Sequence, residues 1–161
     1  PTSIMLIASM NTCPCGYYNH PTKECVCEAT TVRRYLNKVS GPLLDRIDLH
    51  VEVTPVSFDQ MTARSPAEKS AKIRERVIQA RAIQQQRFQA SKNVYANAMM
   101  PTAMAKAVCI LSKAGQNLLK TAIEKLGLSA RAYDRILKVS QTIADLAGRP
   151  SFSTIIFAFF G

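Results

Sequence analysis

Hydrophobic residues follow two different patterns along this chain. Before about residue 58 they form short strand-like runs, at residues 4–11 and 47–53, separated by turn-rich polar stretches. Runs of this kind are typical of strands in a parallel α/β sheet. From about residue 62 onward, apolar residues recur at helical spacing. The pattern predicts an α/β fragment with two or so strands, then an all-α region, and a chain that is predominantly helical.

Four helices are predicted between residues 62 and 148. The first starts at Ser65-Pro66-Ala67-Glu68, a capping box with proline at the first helical position, and runs to about Ala90. Gly127 and Gly148 stand just past the ends of two later helices, and Ser129 has the residue type and position of an N-cap. The other three helices are predicted at residues 102–111, 113–126 and 129–146, after a loop at residues 93–100.

Charge divides the chain in the same region. Residues 1–60 contain five Lys or Arg and six Asp or Glu, a net charge of −1, whereas residues 61–161 contain sixteen and five, a net charge of +11. This asymmetry indicates a domain boundary between Pro55 and Ser65. A strongly basic domain attracts polyanions such as nucleic acids, because binding releases their counterions. The alternative is a solvated helical surface that binds nothing specific.

The composition predicts a soluble, cytoplasmic protein without a membrane partner. Apolar residues make up 47% of the chain, enough for a core, and with 7% aromatic residues and no Trp that core is aliphatic. We expect no secretory signal, and no apolar run reaches the roughly 18 residues needed to span a bilayer. Residues 149–161 form an atypical apolar tail, too short to cross a membrane.

Four of the five cysteines lie in two Cys-x-Cys pairs, Cys13 with Cys15 and Cys25 with Cys27, separated by nine residues. Four thiolates brought together by a short loop form a tetrahedral site for zinc or another thiophilic metal, and a histidine inside the loop is a possible substitute ligand. Cys-x-Cys is tighter than the usual Cys-x-x-Cys spacing, so free thiols and redox chemistry stay open as alternatives. We expect the fifth cysteine, Cys109, to pack in the core.

Arg46 and Asn11 are candidate phosphate contacts in the first region. Arg46 follows a Gly-Pro turn and stands between Asp45 and Asp48, well placed to reach a phosphate on a neighbouring molecule. The alternative is an ion pair with one of those acids. Asn11 ends the first apolar run, and parallel sheets bind ligands at the carboxyl ends of their strands. An asparagine there orients a water or binds a phosphate oxygen, or else caps the following turn.

Arg131 falls in the first turn of the last predicted helix. A helix N-terminus favours anions, and an arginine there adds a charged, bidentate phosphate donor to the backbone amides. The alternative is a solvent-exposed arginine, which the helix dipole disfavours slightly. Arg131 is therefore a candidate nucleotide contact.

Several motifs occur in an order that resembles one family. They are the run ending in Asn11, Cys-Pro-Cys-Gly-Tyr-Tyr, Gly-Pro-Leu-Leu-Asp-Arg-Ile-Asp-Leu-His, Leu-Ser-Ala-Arg-Ala-Tyr-Asp-Arg-Ile-Leu and Thr-Ile-Ala-Asp-Leu-Ala-Gly. Together they resemble the C-terminal part of the magnesium-chelatase-like AAA+ ATPases, in particular the ComM (YifB) competence-protein group, over roughly residues 3–148. The resemblance implies that residues 1–58 are the C-terminal part of a P-loop AAA+ core with a cysteine-rich loop, and that residues 62–148 are a helical lid.

The resemblance also implies residue roles and partners. Asn11 would be sensor 1 and Arg46 the arginine finger, both catalytic, and Arg131 would be sensor 2, binding nucleotide together with Asn11. Because members resemble hexameric DNA helicases, it implies a homo-oligomer, DNA as a partner, branch migration as the reaction, and ATP with Mg²⁺ as cofactors of the full-length protein. The alternative function is a stand-alone zinc knuckle and basic helical module that binds nucleic acid without a motor.

Two parts of an ATPase site are absent from the sequence. It contains no Gly-x-x-x-x-Gly-Lys-Ser/Thr loop to cradle phosphates and no apolar strand ending in paired acids to hold magnesium. We therefore expect a fragment of a longer chain that binds nucleotide weakly and does not hydrolyse it alone.

Thr12 departs from the family pattern, which usually has proline there, and Ser140-Gln141 replaces a common Ala-Arg pair.

Overall fold

A computed structural model describes residues 5–53, 55–56, 58–62 and 67–149. The chain divides into two compact units, Pro1–Arg64 and Ser65–Gly161. The predicted apolar tail lies outside the described residues except for Arg149. Assignment of the two units to an AAA+ core and a lid stays a prediction.

The first unit contains three short helices and, among its described residues, no β-strand. The helices are α1 (Ala29–Leu36), α2 (Gly41–Leu44) and α3 (Phe58–Thr62). The strands predicted at residues 4–11 and 47–53 are therefore wrong for the described part of those segments, which has no regular secondary structure. A strand needs a neighbour to pair its backbone groups and cover its apolar side chains. Ile7 and Val51 lack that cover, since they are 82% and 79% exposed.

The second unit is helical, which confirms the prediction of a predominantly helical chain. Its helices are α4 (Ser70–Arg87), α5 (Thr102–Val108), α6 (Lys113–Leu126) and α7 (Ala130–Leu146), with a 3-10 turn at Asn97–Met99. The start of α7 is capped as predicted, because the Ser129 hydroxyl accepts a hydrogen bond of 3.2 Å from the Ala132 amide. α6 ends at Gly127, whose φ of 60° is a left-handed conformation that glycine adopts readily.

The start of α4 differs from the prediction. The helix begins at Ser70, with Lys69 at the N-cap position, rather than at the predicted capping box. Ser65 and Pro66 lie outside the described residues. The Glu68 carboxylate, expected to close the box, instead accepts two hydrogen bonds from Arg76, at 2.9 and 3.2 Å. Glu68 is thus paired with a side chain in the second turn of α4.

α7 is the central helix of the second unit, and it contacts α4, α5 and the 3-10 turn. Its buried positions are Leu137, Ser140, Gln141, Ala144 and Asp145, which recur at the spacing of one helical face. The apolar members join a core that is mostly aliphatic, as predicted, and that includes Cys109. The buried residues of this core are Phe88, Val94, Met100, Ala105, Cys109, Leu111, Leu119, Leu137 and Ala144.

None of the helices that the structure describes has the length and apolar character that crossing a membrane requires.

Candidate functional site

The first Cys-x-Cys pair is held in a tight turn. The Gly16 amide donates to the Cys13 carbonyl at 3.0 Å, with Pro14 at the second position of the turn, where its fixed φ fits. Gly16 has a φ of 81°, which reverses the chain at little steric cost only because it has no Cβ. The reversal brings the Tyr18 amide within 3.3 Å of the Cys13 sulfur, to which it donates. Local sequence therefore shapes this half of the cluster.

A second turn, Tyr17–His20, leads to the other pair. The His20 amide donates to the Tyr17 carbonyl at 3.1 Å. The His20 ring then closes the loop, because its Nδ1 accepts from the amides of Thr22 and Lys23 at 3.2 and 3.1 Å. His20 is not in the group of side chains placed to hold a metal, so its role here is to fix the loop.

The four cysteines of the two pairs meet at the base of this loop. The sulfur of Cys13 lies 3.3 Å from that of Cys15 and 3.7 Å from that of Cys25, and the Cys15 and Cys25 sulfurs are 3.6 Å apart. With Cys27, all four sulfurs lie within 4.8 Å of one another. A tetrahedral zinc site with Zn–S bonds of about 2.3 Å places its sulfurs about 3.8 Å apart. The four cysteines can therefore hold a single metal ion.

The cluster separates the pKa values of its thiols. Desolvation raises the pKa of Cys13, but hydrogen bonds from Cys15, the Tyr18 amide and Cys25 outweigh it and bring the pKa to about 6. The pKa of Cys25 is lowered by a backbone hydrogen bond from Cys27. Desolvation and the neighbouring Cys15 and Cys13 thiols have the opposite effect and raise this pKa to about 12. Crowded thiols that compete for one set of donors behave in this way.

Asn11, the predicted sensor, directly precedes the cysteine cluster. Its side chain is exposed, and its amide nitrogen lies 4.0 Å from the position that a Cβ on Gly16 would occupy. The adjacent Thr12 hydroxyl donates to the Tyr18 carbonyl at 2.9 Å. Proline, which the resemblance leads us to expect at this position, has no hydroxyl for that bond. The polypeptide that carries Asn11 is thus tied to the cysteine loop.

Arg46, the predicted arginine finger, lies at the end of α2. Its side chain is exposed and folds back on its own turn, where a guanidinium NH group donates to the Pro42 carbonyl at 2.6 Å. The Arg46 amide donates to the Leu43 carbonyl at 2.9 Å, so the backbone is fixed by the same turn. α2 begins after Ser40 with proline in its first turn, which favours a short helix at this point.

Arg131, the predicted second sensor, is the second residue of α7 and is exposed. One turn later on the same helix, the Asp134 carboxylate accepts a hydrogen bond from Thr102 at the start of α5. Arg131 belongs to the second unit, whereas Asn11 and Arg46 belong to the first. Among the described site residues, the structure brings together the four cysteines, with Asn11 beside them.

The two halves of the chain match two related family models. Residues 67–155 match the family described as magnesium chelatase, subunit ChlI C-terminal, and residues 1–61 match magnesium chelatase, subunit ChlI. The chain belongs to the magnesium-chelatase-like family. The resemblance read from its motifs is thereby confirmed.

Relatives in this family include named and uncharacterised bacterial proteins. The chain is 42% identical over 150 residues to the competence protein ComM of Haemophilus influenzae, a match that covers 92% of this chain and 28% of ComM. It is 36% identical over 148 residues to the uncharacterised protein YifB of Escherichia coli K12, covering 91% of this chain and 28% of YifB. The chain thus spans less than a third of the length of these curated relatives.

The second unit contains a buried polar network that was not predicted from the sequence. The Asp145 carboxylate accepts from both guanidinium NH groups of Arg87, at 2.6 and 2.7 Å. Asn97 donates to the same carboxylate at 2.8 Å and accepts from Arg87 at 2.8 Å, and Gln141 donates to Asp145 at 3.2 Å. This network joins the end of α4, the 3-10 turn and the end of α7.

One signal in the sequence pointed to this network. Asp145 stands eight residues after Leu137 and one after Ala144, on the face of α7 that is otherwise apolar and buried. A carboxylate on such a face requires a buried partner. Arg87 carried no matching signal, because the sequence pattern placed it on the polar face of α4.

Proposed function

We propose that this chain is part of a ring-forming AAA+ ATPase that moves DNA strands by ATP hydrolysis. In this account Asn11 is sensor 1, Arg46 is the arginine finger that reaches the neighbouring subunit, and Arg131 is sensor 2. ATP and Mg²⁺ bind in the full-length protein, where other residues supply the phosphate loop and the magnesium ligands. The single observation that carries the proposal is the match of the two halves of the chain to the two family models of magnesium chelatase subunit ChlI, with the C-terminal model second.

The placement of Arg46 supports a role in trans. An arginine finger must be presented at the surface by rigid backbone, and it stabilises the charge that develops on the transferred phosphoryl group. The backbone of Arg46 is fixed by α2, whereas its exposed side chain donates a hydrogen bond to the nearby Pro42 carbonyl. Exchanging that bond for a charge-assisted bond to a phosphate oxygen favours the nucleotide, because bonds between ions are stronger.

The exposed apolar segments also support membership of a larger core. Residues 5–7 and 49–53 carry Met5, Leu49 and Val53 with 85%, 61% and 87% of their surface exposed. Apolar side chains exposed in such numbers mark surfaces that another part of a protein covers. In the full-length ATPase, the remainder of the core would cover them.

DNA is the proposed substrate of the motor. The region from residue 61 onward carries a net charge of +11, and the basic side chains of Lys72, Arg74 and Arg81 on α4 are exposed. A surface of this charge binds the phosphate backbone by releasing counterions, independently of base sequence. We expect DNA binding that weakens steeply as salt concentration rises.

The function is tested by substituting Arg46 in a full-length family member that carries this segment. Arg46→Ala should abolish DNA-stimulated ATP turnover while leaving the dissociation constant for ATP within about twofold, because a finger acts on the transition state and not on ground-state binding. Arg34→Ala is the matched control, since Arg34 is an exposed arginine on α1 of the same unit. If Arg46→Ala hydrolyses ATP at the wild-type rate, the assignment of Arg46 as the arginine finger is wrong.

The cysteine cluster favours a second candidate function, a zinc-knuckle and basic helical module that binds nucleic acid without a motor. It predicts salt-dependent DNA binding by the 161-residue chain alone, lost when the metal is chelated. Fluorescence anisotropy with a labelled oligonucleotide measures this directly. DNA binding that survives chelation would show that the cysteines take no part in DNA recognition. If the chain does not bind DNA at all, the second candidate function is wrong.

A further inference from the structure

We propose that Cys13, Cys15, Cys25 and Cys27 bind one Zn²⁺ ion in a closed tetrahedral site. The ion would hold the loop at residues 12–28 in its observed conformation. This inference concerns the cysteine loop alone and does not depend on the ATPase roles of Asn11, Arg46 and Arg131.

The distances between the sulfurs favour a single ion over other cysteine chemistry. The three shortest separations, 3.3, 3.6 and 3.7 Å, are far longer than the bond of about 2.05 Å in a disulfide. All five cysteines of the chain are free thiols in the structure. Iron–sulfur clusters spread their cysteine ligands over several iron atoms, whereas these four sulfurs all lie within 4.8 Å of one another. One central ion fits that spacing.

The loop lacks the apolar core that would otherwise hold it. Between residues 12 and 28, Cys13 is the one buried residue, and no helix or strand crosses the segment. The aromatic side chains of the loop, Tyr17 and Tyr18, are 37% and 41% exposed, and Val26 is 85% exposed. A short segment that buries so little apolar surface needs a metal or a covalent link to stay ordered.

The backbone around the sulfurs is arranged to stabilise thiolates. The Tyr18 amide points at the sulfur of Cys13 from 3.3 Å, and such N–H donors favour the charged form that binds metal. The Cys-Pro-Cys-Gly turn that aims this amide is fixed by Pro14 and by the left-handed Gly16. The arrangement is therefore built by the backbone and is not a chance meeting of flexible side chains.

Four thiolates leave a tetrahedral ion no open position for water or substrate. Zinc sites of this composition are structural, since catalytic zinc keeps one position free. The ion would accordingly contribute to the folding of the loop, and its binding would release the protons of those thiols that are protonated in the free protein. We assign it no step in a reaction.

The test uses the purified protein, metal-stripped and reduced, titrated with Co²⁺ and then with Zn²⁺. We expect one equivalent of Co²⁺ to produce thiolate-to-cobalt charge transfer and the intense visible bands of a tetrahedral thiolate complex. One equivalent of Zn²⁺ should then remove both signals. Cys25→Ser should lose the charge-transfer intensity of one thiolate and bind Zn²⁺ at least about tenfold more weakly. Cys109→Ala, which removes the one cysteine outside the cluster, should bind like wild type.

The titration of the wild-type protein tests for the zinc site even if Cys25→Ser fails to fold. Octahedral, weakly coloured Co²⁺ would overturn the proposal, as would a stoichiometry other than one metal per chain. It would also be overturned if thiol titration showed disulfides between the two pairs in protein purified without oxidant. Tetrahedral Co²⁺ spectra in wild type and in Cys109→Ala, displaced by one equivalent of Zn²⁺, would establish the site.

Discussion

The carboxylate of Asp145 near the C-terminus of α7 pairs with both guanidinium NH groups of Arg87 at the end of α4, at 2.6 and 2.7 Å. The Asp145 side chain is 1% exposed and that of Arg87 is 20% exposed. Because Asn97 and Gln141 donate to the same carboxylate, the charge is compensated by hydrogen bonds from three elements. The pair therefore links two helices and the turn between them through a carboxylate that is almost fully buried.

Removing either member of this pair should destabilise the second unit strongly. Asp145→Asn leaves Arg87 without its counterion, and breaking a buried pair in this way costs about 3–5 kcal/mol. Urea unfolding followed by circular dichroism measures the loss. Glu124→Gln is the control, because Glu124 forms an exposed pair with Lys120 at 3.8 Å, which is worth at most about 1 kcal/mol. Equal effects of the two substitutions would show that the Arg87–Asp145 pair contributes little.

The same pair predicts acid sensitivity. Burial raises the pKa of Asp145, but hydrogen bonds from Arg87, Asn97 and Gln141 outweigh it and leave the pKa below its ordinary value. A carboxylate whose pKa is lowered by folding contributes stability above its unfolded pKa of about 3.9 and loses it as the pH falls through the folded value. The free energy of unfolding of wild type should therefore fall below about pH 4.

Asp145→Asn provides the comparison for that pH profile. The variant lacks the titrating group, so the gap in stability between wild type and variant should narrow as the pH falls from 6 toward 3, as linkage requires for a group of about this pKa. A constant gap over that range would mean that the Asp145 carboxylate does not have a lowered pKa.

Two serines on or beside α7 should respond in opposite directions to the same substitution. Ser140 is fully buried, and within the described chain its hydroxyl has no hydrogen-bond partner. Ser140→Ala should therefore stabilise the protein by about 1 kcal/mol, since an unsatisfied buried group costs about that much or more. Ser129→Ala removes the cap of α7 and should cost about 1 kcal/mol. Thermal unfolding measures both, and destabilisation by Ser140→Ala would mean that its hydroxyl has a partner.

Cysteine reactivity should separate the cluster from the core. The Tyr17 amide, as the largest influence, lowers the pKa of the half-buried Cys15 thiol, whereas burial raises that of Cys109 to about 11. In reduced, metal-free protein at pH 7, iodoacetamide should modify Cys15 at least about tenfold faster than Cys109, because the thiolate is the nucleophile. Peptide mass spectrometry after timed quenching gives the two rates. Zn²⁺ should protect Cys15 and leave Cys109 unchanged, and equal rates without metal would contradict this reactivity order.

The helices that were predictable from sequence are those with local start and stop signals. α6 and α7 begin at serine caps and α6 ends at a left-handed glycine, so short-range chemistry determines their bounds. The strands at residues 4–11 and 47–53 were not predictable in this sense, because a strand depends on neighbours elsewhere in a protein. The beginning of α4 was wrong for a related reason. Glu68 forms an ion pair with Arg76, eight residues further along the chain.

The candidate site shows the same division. The meeting of the four cysteines follows from turns that Pro14, Gly16 and Asn19 specify within a few residues, and it was predictable from spacing. The Arg87–Asp145 pair joins residues 58 positions apart. Only Asp145, an acid on an apolar helix face, could be recognised from the sequence, because nothing in the local pattern marks Arg87 as its partner. The roles of Asn11, Arg46 and Arg131 depend on a nucleotide and a neighbouring subunit and stay predictions.

The central claim is that Arg46 completes a nucleotide site on a neighbouring subunit, and mixed rings of a full-length family member test it directly. Arg46→Ala subunits are mixed with subunits that carry an intact Arg46 but a disabled phosphate-binding lysine, and DNA-stimulated ATP turnover is measured. Each variant alone should be inactive, whereas the mixture should regain activity, because some interfaces pair an intact nucleotide site with an intact finger. An inactive mixture in which subunit exchange has been demonstrated would contradict action in trans, and full activity of Arg46→Ala alone would contradict any role for this arginine in hydrolysis.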